Sequence, residues 1–205
     1  HLLWNENTDW QKEIFRTAIS MDNAFSISGA KGNLPYRVSI GQTIQNGIME
    51  NTSMKRVTGS VSLDPVLLDG SLKLNFNVKG MLTNNNFGDD GALGSALQMD
   101  PTKPVFDGNE SSAGYFQWEN YGANLGTSNP VEQLMEVEDR SKVKRIVANG
   151  QVNYALPFLP EMRLNLNLAT DRTTGEGQNN RPPTSSGNLL NGFIGRMNNY
   201  DAKNT

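Results

Sequence analysis

The stretch Ser71–Leu82, SLKLNFNVKGML, decides the fold. Leu72, Leu74, Phe76, Val78, Gly80 and Leu82 form one set. Ser71, Lys73, Asn75, Asn77, Lys79 and Met81 form the other, and both charges fall in that second set. A period of two is the mark of a strand with two unlike faces. The same alternation recurs in Met162–Ala169, where Met162, Leu164, Leu166 and Leu168 oppose Arg163, Asn165, Asn167 and Ala169. It recurs again in Tyr36–Gln45 and Ile146–Tyr154, with Gln42 as the one polar intruder on an apolar set. These strands run about 9–12 residues, against a usual length of about 5–6. A tilted strand needs about 9–11 residues to cross a bilayer.

Outward from these four, strands are expected over roughly Asn23–Ala30, Tyr36–Asn46, Arg56–Leu63, Ser71–Leu82, Val143–Tyr154 and Met162–Asp171. Their connections alternate in length. Lys31–Pro35, Asp64–Gly70 and Ala155–Glu161 are short and hold Gly or Pro, whereas Gly47–Lys55, Thr83–Lys142 and the tail from Arg172 to Thr205 are long. Short turns at one end and long loops at the other characterise outer-membrane barrels. The fold class is therefore all-β, an antiparallel up-and-down meander of about six strands with short helices in its long loops. The chain divides into a loop segment with a short helix (1–22), barrel strands carrying a long loop at 83–142 (23–172) and a second loop segment (173–205). Tyr36 and Tyr154 both sit beside short turns, where an interfacial aromatic girdle belongs. Arg37, Lys73, Lys79 and Arg163 all avoid the apolar face, as lipid contact requires and as a sandwich core would also require.

Composition narrows the function. The 205 residues contain no cysteine, so disulfides and thiolate metal sites are excluded. The only histidine is the first residue. A net charge of −3 argues against a nucleic-acid partner, which calls for a basic surface. No run of 18 apolar residues exists, so no transmembrane helix is expected. The mean hydropathy of −0.53 does not exclude a barrel, because half of each barrel strand faces the lumen. Asparagine inside strands (Asn75, Asn77, Asn149, Asn153, Asn165, Asn167) is unusual and suits a face that meets confined water. No signal peptide opens the chain, and it reads as a segment of a longer protein.

The loops carry helix signals. Thr8-Asp9-Trp10-Gln11 fits a capping box, predicting a helix over about Asp9–Ala18. Gly91–Met99 fits a helical turn. Asn129-Pro130-Val131-Glu132 supplies an N-cap, a proline at the first helical position and an acid in the first turn, predicting a helix to about Glu138. The search for catalysis is nearly empty: no nucleophile elbow, zincin, Walker or dinucleotide motif is present, and an enzyme is not expected. No cofactor or metal site is expected either. Asp89-Asp90 and Glu136/Glu138/Asp139 are the densest carboxylates and read as loop and helix-face residues. The loop aromatics Tyr115, Phe116, Trp118 and Tyr121 are the one constellation with binding chemistry, since aromatic faces stack on sugars or on a partner's apolar surface. Packing of the loop onto itself is the alternative reading of the same residues.

Several motifs then line up in order. Asn7-Thr8-Asp9-Trp10-Gln11-Lys12-Glu13-Ile14-Phe15-Arg16 resembles a stretch of SusC/RagA-family TonB-linked outer-membrane proteins. So do Ser26-Ile27-Ser28-Gly29, Tyr36-Arg37-Val38-Ser39, Gln45-Asn46-Gly47-Ile48, the run Gly91–Thr102, Gly114–Trp118, Asn129-Pro130-Val131, Asp139–Arg145 and Phe158-Leu159-Pro160. The resemblance covers about Asn7–Gly177. It implies about six strands of a 22-stranded TonB-dependent transporter barrel in the outer membrane of a Bacteroidetes-type Gram-negative bacterium. It implies import of oligosaccharides or peptides, a SusD-like surface lipoprotein as lid, TonB as energy coupler through segments outside this chain, and outer-membrane lipid around the barrel. It also implies that the long loops are extracellular, so that Tyr115, Phe116, Trp118 and Tyr121 face the lid or the substrate chamber. The rival without a membrane is a secreted β-sandwich, a carbohydrate-binding or adhesin module using the same aromatics.

Overall fold

The computed structural model describes residues 6–118, 126–185 and 195–204. One antiparallel sheet dominates. Its strands are β1 (Met21–Lys31), β2 (Leu34–Asn46), β3 (Ser53–Leu63), the two-residue β4 (Val66–Leu67), β5 (Leu72–Phe87), β6 (Glu138–Leu156), β7 (Leu159–Arg181) and β8 (Arg196–Asn204). The spatial order is β1-β2-β3-β5-β6-β7-β8, with β4 pairing onto β5. Each long strand lies beside its neighbour in sequence, which is the expected meander. No second sheet packs against it among the described residues.

Register puts the expected residues on shared faces. Ile27 pairs with Val38, Val38 with Val61, Val61 with Val78 and Val78 with Ala148, forming one apolar row across five strands. The row beside it on the other face runs Ser28, Arg37, Ser62, Asn77 and Asn149. On β3 the polar-face residues are half-covered while Val57, Gly59 and Val61 stand open, so the polar face lies on the inside of the sheet's curve. Arg145 and Asp171 form an ion pair on that inner face (Nε to Oδ1, 2.9 Å). Outward, Phe25, Ile40, Phe76, Val78, Leu166 and Leu168 are exposed. An apolar surface turned outward, with charge turned inward, inverts the soluble pattern and is the barrel pattern.

The band's borders slope. The first amide or charged residue above the apolar run on the outer face is Asn46 on β2, Lys55 on β3, Asn84 on β5, Lys144 on β6 and Arg172 on β7. Through the register these positions descend three paired rows over four strand steps. That is about 20 Å along the strands against about 19 Å across them, a slope of about 45°. The lower border slopes equally: from Tyr36 to Tyr154 the drop is two rows over three steps, about 14 Å each way. Both borders become level when the strands tilt by the angle that membrane barrels use. Tyr36 and Tyr154 then stand at one height, as a girdle demands.

Three expectations are corrected. The tail 173–205 is not loop throughout: β7 continues to Arg181, and Arg196–Asn204 forms β8. The long connection spans 88–137 rather than 83–142, because β5 extends to Phe87 and β6 starts at Glu138. Six strands become seven long ones. The physical reason is common to all three. Alternation is imposed where one face meets lipid, whereas the hydrophilic run Thr173–Arg181 is held by its neighbours' ladders and needs no pattern. The 23 residues of β7 span about 75 Å along the strand, far more than a bilayer's roughly 25 Å apolar band requires. The first segment likewise ends at Met21, where β1 begins.

Candidate functional site

The buried core lies outside the sheet, in a cap at the end bearing the long connections. Three helices build it: α1 (Trp10–Ile14), α2 (Gly91–Gln98) and α3 (Pro130–Glu136). Trp10, Ile14, Ala92, Ala96, Met99, Tyr115, Phe116, Val131 and Leu134 form one cluster, with Ile14 and Leu134 fully buried. Helix α1 is shorter than its expected span and is capped by Asp9, which accepts from Lys12 N at 3.2 Å. Thr8, the expected cap, instead donates to Lys103 O at 2.6 Å, and Trp10 Nε1 donates to Asp100 O at 3.0 Å. The chain's start is thus pinned to the loop about ninety residues later. Beyond α1, Phe15 pairs with Met49 rather than extending the helix.

The cap is bolted to the sheet's rim. Arg16 donates from Nε to Gly47 O (3.2 Å) and from Nη2 to Thr52 O (3.0 Å), and pairs with Glu50 at 3.1 Å. It therefore fixes both ends of the β2–β3 turn. Asn51, in the left-handed region (φ 57), donates to Leu134 O at 2.7 Å and accepts from Asn86 Nδ2. Asp89 accepts from Gly91 N at 2.9 Å and pairs with Arg181 on β7 at 2.9 Å. These contacts assign Asp89 to holding the loop, in keeping with its reading as a loop residue.

Asn129 is the centre of the loop. It is fully buried; its Oδ1 accepts from Val131 N (3.0 Å) and Glu132 N (3.3 Å), the expected N-cap. Its Nδ2 donates to Val105 O (2.9 Å) and Phe116 O (3.3 Å). One side chain so ties α3 to the small bridge between Phe106 and Tyr115.

That bridge carries the aromatics. Tyr115 and Phe116 are buried at 8% and 7% exposure, so they pack the loop. Burial, with Glu136 and Glu132 nearby, pushes the Tyr115 phenol above its ordinary value of 10.0. Trp118 remains 36% exposed and meets Phe116 edge-on at 5.5 Å. Tyr121 lies outside the described residues. The structure adds two residues that sequence reading missed. Phe106, 59% exposed, covers Tyr115 at 4.8 Å. Lys103 Nζ lies 5.4 Å from the Trp118 ring and 5.8 Å from the Phe116 ring, within cation–π range. Lys103 precedes Pro104, which marks a turn, but nothing in the local sequence tied Lys103 to Trp118 or Phe106 to Tyr115. Half-buried Lys103 and the part-exposed Trp118 therefore stand together over Phe116, one aromatic plane with one cation, able to stack a ring while binding an acceptor, and Phe106 is a separate exposed ring over Tyr115.

A sheet with an outward apolar band, an inward polar face and a helical cap on one rim defines a wall section of a membrane β-barrel with a head at one end. No protein-family model matches the chain. The chain is 37% identical, over 97% of its length, to the TonB-dependent receptor SusC of Bacteroides thetaiotaomicron, and spans about a fifth (21%) of that relative. Its fold matches the RagAB peptide importer in the closed-closed state (TM-score 0.71, 20% identity) and the RagAB peptide transporter (TM-score 0.72, 21% identity). Each match covers 97% of this chain and 22% of the solved one. The chain belongs to the SusC/RagA family of TonB-dependent receptors, as a segment of the barrel.

Proposed function

We propose that the full-length protein is a TonB-dependent outer-membrane importer that takes up oligosaccharides or peptides together with a SusD-like lipoprotein. This chain supplies part of its wall and of its extracellular head. The observation that carries the reading is the likeness to SusC over almost the whole chain, joined to a sheet whose outer face is apolar at a membrane slant. The protein's seat is the outer membrane of a Bacteroidetes-type bacterium, and TonB is met by parts outside this chain.

Within the head, Trp118, with Tyr121 beyond it and Tyr115 and Phe116 as its packed support, shapes the lid interface or the substrate chamber. Lys103, over the Phe116 and Trp118 rings, completes that surface. Buried and half-buried aromatics dominate such contacts energetically. The test is Trp118→Ala in the full-length transporter, reading nutrient uptake and lid affinity at matched surface expression. Reduced uptake or lid affinity is expected. Wild-type values for both would leave these aromatics as packing alone.

A further inference from the structure

The sloping upper border of the apolar band ends in cations, and on β6–β8 they converge. Lys144 on β6 pairs directly with Thr174 on β7, and Thr174 pairs directly with Lys203 on β8. Arg172 lies two residues from Thr174 on the same strand face, diagonal to both lysines. Opposed side chains start about 5 Å apart and diagonal ones about 7–8 Å. Three cations thus ring one hydroxyl, and all three are exposed. None of the ion pairs among the described residues involves them.

The surrounding charges are ordered by height. On the lipid side of the group stand Ile146, Leu168 and Thr170. On the far side stand Glu176 and Asp201, paired with each other in the register and opposite Lys142. Cations therefore lie toward the membrane and carboxylates away from it. Lys144 and Arg172 mark the border itself, and Lys203 reaches toward it from above. Three adjacent like charges repel one another. An anion placed over Thr174 removes that cost, and the headgroup region of a bilayer lies at the border of its apolar band.

We propose that Lys144, Arg172 and Lys203 form a site for the phosphate of an anionic lipid headgroup, with the Thr174 hydroxyl at its centre. A phosphate accepts charge-assisted hydrogen bonds from a guanidinium and two ammonium groups at once. The lipid's tails then lie along the outward Ile146, Leu166 and Leu168. This rests on the reading of the outer face as lipid-facing.

The experiment uses the full-length protein in neutral detergent, titrated with phosphatidate or with diacylglycerol bearing the same tails, and counts retained lipid by native mass spectrometry. Phosphatidate should be retained in preference to diacylglycerol. The triple variant Lys144→Gln, Arg172→Gln, Lys203→Gln should lower phosphatidate retention by at least about tenfold, while Lys142→Gln, already opposite Glu176, should leave it unchanged. Wild-type retention by the triple variant overturns the site. Equal losses from Lys142→Gln reduce it to diffuse charge and also overturn it. Displacement of phosphatidate by inorganic phosphate at equal concentration makes it a free-anion site rather than a lipid one. If the wild type retains neither lipid, the lipid-facing reading of this surface fails first and the site falls with it.

Discussion

Replacing Asn129 with alanine removes four hydrogen bonds from a fully buried position. Loss of an N-cap costs about 1 kcal/mol. The Val105 carbonyl keeps the Phe116 N–H at 3.1 Å and loses one net hydrogen bond, about 1 kcal/mol, while the Phe116 carbonyl loses its Asn129 donor at about 1 kcal/mol, the low end for a buried unsatisfied group; together they add about 2 kcal/mol. The sum, about 3 kcal/mol, should fall on the cap and leave the sheet alone, because all four hydrogen-bond partners of the Asn129 amide lie in the cap. Hydrogen exchange of the full-length protein measures this locally. Amides in 131–136 and 105–117 should exchange roughly 150-fold faster, since 1.4 kcal/mol is tenfold, while β5 and β6 stay protected. Asn129→Asp sharpens the test. Its carboxylate keeps the cap acceptor but turns an oxygen toward two carbonyls, so the loop should loosen near neutral pH and recover on acidification, when one donor returns. Unchanged protection in Asn129→Ala would refute the reasoning and place the cap's stability in its apolar cluster alone.

Other outcomes follow from the same geometry. Val78→Arg, at mid-band on the outer face, should cost about 2–4 kcal/mol of assembly, whereas Asn77→Arg on the inner face should be tolerated; heat-modifiable mobility of the full-length protein reads both. Ile14→Ala, at 0% exposure, should lose about 2–5 kcal/mol from the cap, seen as faster exchange in 10–14 and 91–98. The Tyr115 phenol should ionise above pH 10.0, measured as the difference between wild-type and Tyr115→Phe absorbance titrations. Because its folded pKa is raised, its contribution to stability is full below the unfolded value and disappears as pH rises through the folded one.

Much of this fold was legible, and for a physical reason. Lipid contact forces every second residue of Leu72–Leu82 to be apolar or small, so the strand, its faces and its partners' faces could be read together. Asn129-Pro130 fixed the start of α3 because an N-cap followed by proline has few other uses. What escaped lies where no single environment dictates a residue. Thr173–Arg181 and Arg196–Asn204 meet water on both faces and carry no alternation, yet pair through backbone that every sequence possesses. Helix α1 stops at Ile14 because Phe15 pairs with Met49, a contact made across the chain. The aromatic group divided for the same reason: Tyr115 and Phe116 were visible as a cluster, but burial of those two and exposure of Phe106 and Trp118 depend on where Asn129 holds the bridge. Lys103 joined them only through folding.

The slant of the apolar band also sets how much rim these strands occupy. A strand spaced 4.8 Å from its neighbour and inclined at about 45° takes about 7 Å of circumference. Seven strands therefore cover an arc of about 48 Å. Rolled shut on itself, that arc would give a radius near 8 Å, too narrow for a lumen once inward Arg, Lys and Asn side chains are in place. Among the described residues the sheet does not roll shut: β1 and β8 stand at its two ends, not beside each other. The inclination that keeps Tyr36 level with Tyr154 is thus the same quantity that widens the wall.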